Sequence, residues 1–144
     1  MDRLNVYLAA SFPRKSEVGE LASRLQHHHN YRVVSTWTSQ REGYDAYDKR
    51  TSDKQRKEIA VRDCRQIEAA DVLVELTDEP DKSLSHGGRA AEVGYALAKG
   101  KHVIVVGHPE HVFHWHPHVV HVADEKELLV SLQMFRVLRG GDDG

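Results

Sequence analysis

The chain predicts a doubly wound α/β fold, a parallel sheet with helices on both faces. Short apolar runs alternate with segments whose apolar residues repeat at helical spacing, so each strand is followed by a crossover rather than a hairpin. The length of 144 residues and a hydrophobic content of 40% suit one domain with a substantial core, expected over residues 1–139.

Leu4–Ala10 is a short apolar run that reads as a buried first strand. Pro13 permits a helix start, and Val18, Leu21, Ala22 and Leu25 repeat at helical spacing. Tyr31–Ser35 is β-branched and predicts a second strand, and the polar stretch Thr38–Ser52 a loop. Asp53–Ala70 predicts a helix, with Ile59, Ala60, Ile67 and Ala70 on one side. Asp71–Leu76 is a third strand, followed by a proline-containing loop, Asp78–His86. A small-residue helix, Gly88–Lys99, leads into a fourth strand, His102–Val106. A fifth strand over His118–Val122 and a helix over Asp124–Leu138 complete the pattern, with Gly140–Gly144 expected to fray as a tail. About five parallel strands in the order 2-1-3-4-5 make a flavodoxin- or Rossmann-like three-layer sandwich. Its ligand crevice then lies at the switch point between the first and third strands.

Bulk properties exclude several classes of function. A net charge of -2 gives no basic surface for nucleic acid, and the basic residues of 49–62 are interleaved with acidic ones, as on a solvated helix face. No apolar run reaches the roughly 20 residues of a membrane helix, and no signal peptide is expected ahead of the first strand. The single cysteine, Cys64, rules out an intrachain disulfide framework and fits a cytoplasmic setting. The first loop, Leu8–Pro13, lacks the glycines of a dinucleotide-binding turn, so no cofactor of that kind is expected.

Two carboxylates stand where apolar residues belong. Glu92 sits among alanines and glycines in the early turns of its helix, and an unpaired buried charge there is costly. Asp63 lies four residues from both Ile59 and Ile67, on the side facing the core. Two carboxylates flanking a sugar are the usual equipment for cleaving a glycosidic bond, although either residue alone also fits a solvated position. Gly87 and Gly88, at the helix start, offer backbone N–H groups to a phosphate or hydroxyl, or simply relieve crowding in a turn. Six of the eleven histidines fall between His108 and His121, with spacings that also suit metal ligands. Only Glu110 lies near enough to complete such a set, so no metal is expected.

An ordered set of segments resembles the nucleoside 2-deoxyribosyltransferase family and the related nucleotide N-glycosidases. It comprises Val6–Ala10, Asp63 with Ile67 and Ala70–Asp71, Gly87–Lys101 with Glu92, and Val112–His114 before Pro117. The resemblance implies that Glu92 is a nucleophile attacking C1′ of a 2-deoxyribose, that Tyr7 orients it, and that Asp63 holds or protonates the departing base. It implies transfer of the sugar to another base. The alternatives are hydrolysis of a deoxynucleoside 5′-monophosphate and nucleotide binding without turnover. Phe12 and Trp37 are expected to stack on the base, Ser85 or His86 to meet a sugar 5′-hydroxyl or 5′-phosphate, and Ser11, Asp78, Gly87, Gly88 and His114 to bind the substrate. Ala10 and His86 depart from the family pattern, which often has glycine at the first position and a small polar or acidic residue at the second. Family active sites are commonly completed by a neighbouring subunit. A homodimer or higher even-numbered assembly is therefore expected, with Val112–His118 as its contact.

Overall fold

The computed structural model describes residues 3–39, 48–80 and 87–141. Its strands are β1 (Asn5–Ala9), β2 (Arg32–Val33), β3 (Val72–Leu76), β4 (His102–Val106) and β5 (Val119–Val122). They form one parallel sheet in the order β2-β1-β3-β4-β5, the order the alternation predicts. The helices are α1 (Lys15–His28), α2 (Asp53–Ala69), α3 (Gly88–Ala98) and α4 (Glu125–Gly141). Helices α2 and α3 pack against one another. On α1 and α4, Arg24 donates to Glu125 at 2.6 and 3.0 Å. Arg136 of α4 reaches the carbonyl of His29 and lies over the Tyr31 ring.

The central strands are buried along their length, which is why they read as continuous apolar runs rather than alternating ones. The edge strand β2 is shorter than expected because side chains take over its pairing. Ser35 Oγ accepts the Leu8 N–H at 3.0 Å, and Trp37 Nε1 donates to the Leu8 carbonyl at 2.6 Å. Helix α2 begins with a capping box: the Gln55 N–H donates to Ser52 Oγ and the Ser52 N–H to Gln55 Oε1. Ile67 is its buried residue, whereas Ala60 is exposed.

Helix α4 runs through Gly141, so Gly140 and Gly141 belong to the helix and not to a frayed tail. Arg139 is paired with Asp71, at the start of β3, and docks that last turn. Gly107 ends β4 at φ 109°, and a Cβ there would stand 2.4 Å from Thr77 Oγ1, so only glycine fits.

Candidate active site

The switch point between β1 and β3 brings three expected residues together. Tyr7, buried on β1, donates its hydroxyl to Glu92 Oε2 in a short hydrogen bond. Glu92, in the second turn of α3, keeps some solvent access, yet desolvation pushes its carboxyl up to about 7. The Tyr7 hydrogen bond and the charge of Arg89 pull it down, while Asp63 and Glu75 push it up. Asp63 on α2 is itself raised by desolvation, against the pull of Arg62, whose Nε and Nη2 lie 3.0 and 2.8 Å from Oδ1. Burial, then the charges of Glu92 and Asp63, hold the Tyr7 hydroxyl well above its ordinary range, so it remains a donor. A ring hydroxyl therefore fixes one oxygen of a carboxylate that titrates near neutrality, with a second carboxyl beside it.

The first loop is tied to the loop after β3. Ser11 Oγ donates to Asp78 Oδ1 at 3.1 Å, and Arg14 reaches the Thr77 carbonyl at 2.9 Å. Asp78 also takes Arg89 Nη2 at 3.0 Å, which makes it an anchor between segments. Phe12 is half-buried at this loop. Gly87 adopts φ 93° as the N-cap of α3, and Gly88 follows as its first residue, both exposed. Ser85 and His86 lie outside the described residues.

Two residues expected at the substrate are buried. Trp37 is 7% exposed and its indole N–H is spent on Leu8, so it walls the core beside Phe12, 6.5 Å away between ring centres, instead of offering a free face to a base. His114 is fully buried. Its Nδ1 accepts the Glu110 N–H at 2.8 Å, and its Nε2 meets Glu75 Oε2 at 2.6 Å, which leaves no ring nitrogen for a ligand.

Glu75, His111 and His114 do stand with metal-like spacing, their ligand atoms within 4.8 Å. The proton inventory opposes coordination through His114. A backbone N–H fills Nδ1, so Nε2 carries the hydrogen and gives it to Glu75. His121 and His116 bond backbone groups of the same turn region.

Three residues of the neighbourhood escaped the sequence reading in this role: Glu75, Arg89 and Glu110. Arg89 is buried, and its guanidinium meets Glu110 at 2.5 and 3.2 Å, Asp78 at 3.0 Å and Glu75 at 3.5 Å. Glu75 was detectable by the logic that singled out Glu92, since it is a carboxylate inside the apolar run Val72–Leu76.

A profile of the nucleoside 2-deoxyribosyltransferase family matches residues 6–132. Among solved structures, the chain is similar to a CMP N-glycosidase from Clostridium botulinum, with 21% identity and a TM-score of 0.56. That match covers 90% of this chain and 98% of the other. A 2-deoxyribosyltransferase from Bacillus psychrosaccharolyticus is similar at 19% identity and a TM-score of 0.62, covering 87% and 90% of the two chains. No curated protein sequence matches. The structural likenesses carry the fold; the family match carries the relationship.

Proposed function

Because the chain belongs to the nucleoside 2-deoxyribosyltransferase family, we propose that it cleaves the N-glycosidic bond of deoxynucleosides through a covalent glycosyl-Glu92 intermediate and transfers the sugar to another base. The observation that carries this reading is the Tyr7–Glu92 hydrogen bond at the switch point, with Asp63 alongside. Ionised Glu92, held through Oε2 by Tyr7, attacks C1′ with its other oxygen. The C1′–N bond breaks, its electron pair leaves with the base, and the protonated Asp63 carboxyl supplies the proton. An acceptor base then attacks C1′ from the vacated face, expels Glu92 as carboxylate and returns a proton to Asp63. Two displacements retain the configuration at C1′. Desolvation acts on both carboxyls: it raises Asp63, against the pull of Arg62, and leaves Glu92 poorly solvated when ionised.

A second reading is hydrolysis of a deoxynucleoside 5′-monophosphate. It is favoured by the resemblance to a protein described as a CMP N-glycosidase and by the exposed Gly87–Gly88 start of α3, where backbone N–H groups suit an anion. Incubation with deoxynucleosides or their monophosphates, with and without a second free base, separates the readings by chromatography. Exchange that requires the second base supports transfer, and release without it supports hydrolysis. Absence of both from folded protein refutes catalysis, and thermal stabilisation by a nucleotide without product would then indicate a binding module.

The working form we infer is a homo-oligomer. On the 3-10 turn Val112–Trp115, Val112, Phe113 and Trp115 are 73%, 52% and 71% exposed, an apolar cluster suited to a second copy. No helix among the described residues is long and apolar enough to cross a membrane.

A further inference from the structure

We propose that Arg89 is a positioning residue for Glu92: a guanidinium clamp that pins the first turn of α3 to the carboxylates of Glu75, Asp78 and Glu110. The inference rests on the reading of Glu92 as nucleophile. Helix α3 buries only Val93 and Ala96 besides Arg89; Tyr95 and Leu97 pack partly against the core from its second half, while Ala90, Ala91 and Gly94 give its early turns little side-chain bulk. Early turns so smooth are weakly keyed by packing, since interdigitation of large side chains is what sets the register of one element on another. Arg89 supplies the missing key. It lies three residues before Glu92, on a neighbouring part of the same helical surface.

The three carboxylates come from separate parts of the switch region. Glu75 belongs to β3, Asp78 to the segment after β3 and Glu110 to the segment after β4. Arg89 Nη1 is directed at Glu75 and Glu110, and Nη2 at Asp78 and Glu110. The planar fork thereby fixes orientation as well as distance, which an ammonium cannot do. The network then closes on itself. The Glu110 N–H donates to His114 Nδ1, His114 Nε2 donates to Glu75 Oε2, and Glu75 Oε1 returns to Arg89. Buried ion pairs are poor sources of stability, because the desolvation cost offsets most of the attraction. Geometric definition is what this one provides. Ser11 and Arg14, bound to Asp78, extend it to the loop that follows Tyr7's strand.

The charge of Arg89 also acts on Glu92, among the other groups that face it: Tyr7 from β1, Asp63 and its partner Arg62 from α2, and Glu75 from β3. The test compares Arg89→Lys, Arg89→Met and Glu110→Gln with the unaltered protein in steady-state base exchange across pH 5–9. Arg89→Lys keeps the charge and loses the fork. Its expected kcat loss is about ten- to a hundredfold, as misplacement of a reacting group produces, with KM changed less than about threefold. Arg89→Met should add an alkaline shift of the acid limb, which Arg89→Lys should not show. Glu110→Gln should reproduce the kcat loss in weaker form, and it carries the test if Arg89→Met does not fold. A kcat within twofold of the unaltered protein in both Arg89→Lys and Glu110→Gln overturns the proposal. If the unaltered protein turns over no deoxynucleoside, the functional reading fails separately. The clamp is then read from the 13C resonance of the Glu92 carboxyl, assigned by its loss in Glu92→Gln. Unchanged shift and titration of that resonance in Arg89→Lys and Arg89→Met would overturn the clamp on its own.

Discussion

Replacing Tyr7 with Phe removes one oxygen and leaves the ring that β1 buries. The lost interaction is a hydrogen bond to a carboxylate, of a class worth about 1.5–3 kcal/mol. Because it stabilises the charged form of Glu92, its loss raises a carboxyl already pushed up to about 7. At 1.36 kcal/mol per pH unit, the shift is roughly one to two units, which carries the apparent value to roughly 8–9. At pH 7 the ionised fraction then falls from about one half to between about a tenth and a hundredth, a loss of roughly five- to fiftyfold before any loss of orientation. The assay is kcat/KM for base release or exchange between pH 5 and 9.5, followed by chromatography. The unaltered protein should show an acid limb centred near 7, and Tyr7→Phe should move it to higher pH, with partial recovery of rate above pH 9. A limb that stays in place with kcat/KM within twofold would refute the assignment of Tyr7 and Glu92 as a working pair.

Stability should carry the mark of the same carboxyl. Folded Glu92 holds its proton up to about 7 against an ordinary 4.5, so ionising it on raising the pH works against the folded state throughout that window. Glu92→Gln should therefore gain up to about 3 kcal/mol relative to the unaltered protein between pH 4.5 and 8, measured by urea denaturation, and a constant difference would contradict the buried-charge account. Gly107→Ala should lower stability by about 2 kcal/mol or more, because it combines a positive φ with a 2.4 Å approach to Thr77; an unchanged melting temperature would show that the turn relaxes freely. A Phe113→Ser, Trp115→Ser double variant should shift the mass seen by light scattering towards the monomer while its circular dichroism stays unchanged. An unaltered mass would move the assembly contact elsewhere.

How much of this was legible in the sequence depends on the kind of signal. The strands were, because a buried parallel strand is a continuous apolar run, as Val103–Val105 is. Glu92 and Asp63 are conspicuous because each breaks an apolar or small-residue pattern, an anomaly that residue order alone exposes. The shortening of β2 was not legible: it depends on Ser35 and Trp37 capturing the backbone of Leu8, nearly thirty residues earlier. The buried placement of His114 and Trp37 is illegible for a related reason. A histidine in an aromatic turn, or a tryptophan after a strand, reads alike whether it faces a ligand or the core. Only their partners, Glu75, Glu110 and Leu8, decide it. Arg89 hid as an ordinary polar residue after a glycine pair, since the three carboxylates that give it meaning are 11 to 21 positions away.

The hydrogen bond between Tyr7 and Glu92 joins positions 85 residues apart, and Ser11 meets Asp78 across 67. No local segment can form either contact. Both must await the pairing of β1 with β3, which closes a long loop, and the seating of α3 on β3 and β4. The Tyr7–Glu92 pair therefore cannot form before β1 meets β3 and α3 is seated. Half-folded chains would carry an ordinary, solvated glutamate titrating as any other does. The upward shift in the titration of Glu92 thus doubles as a report that β1, β3 and α3 have come together.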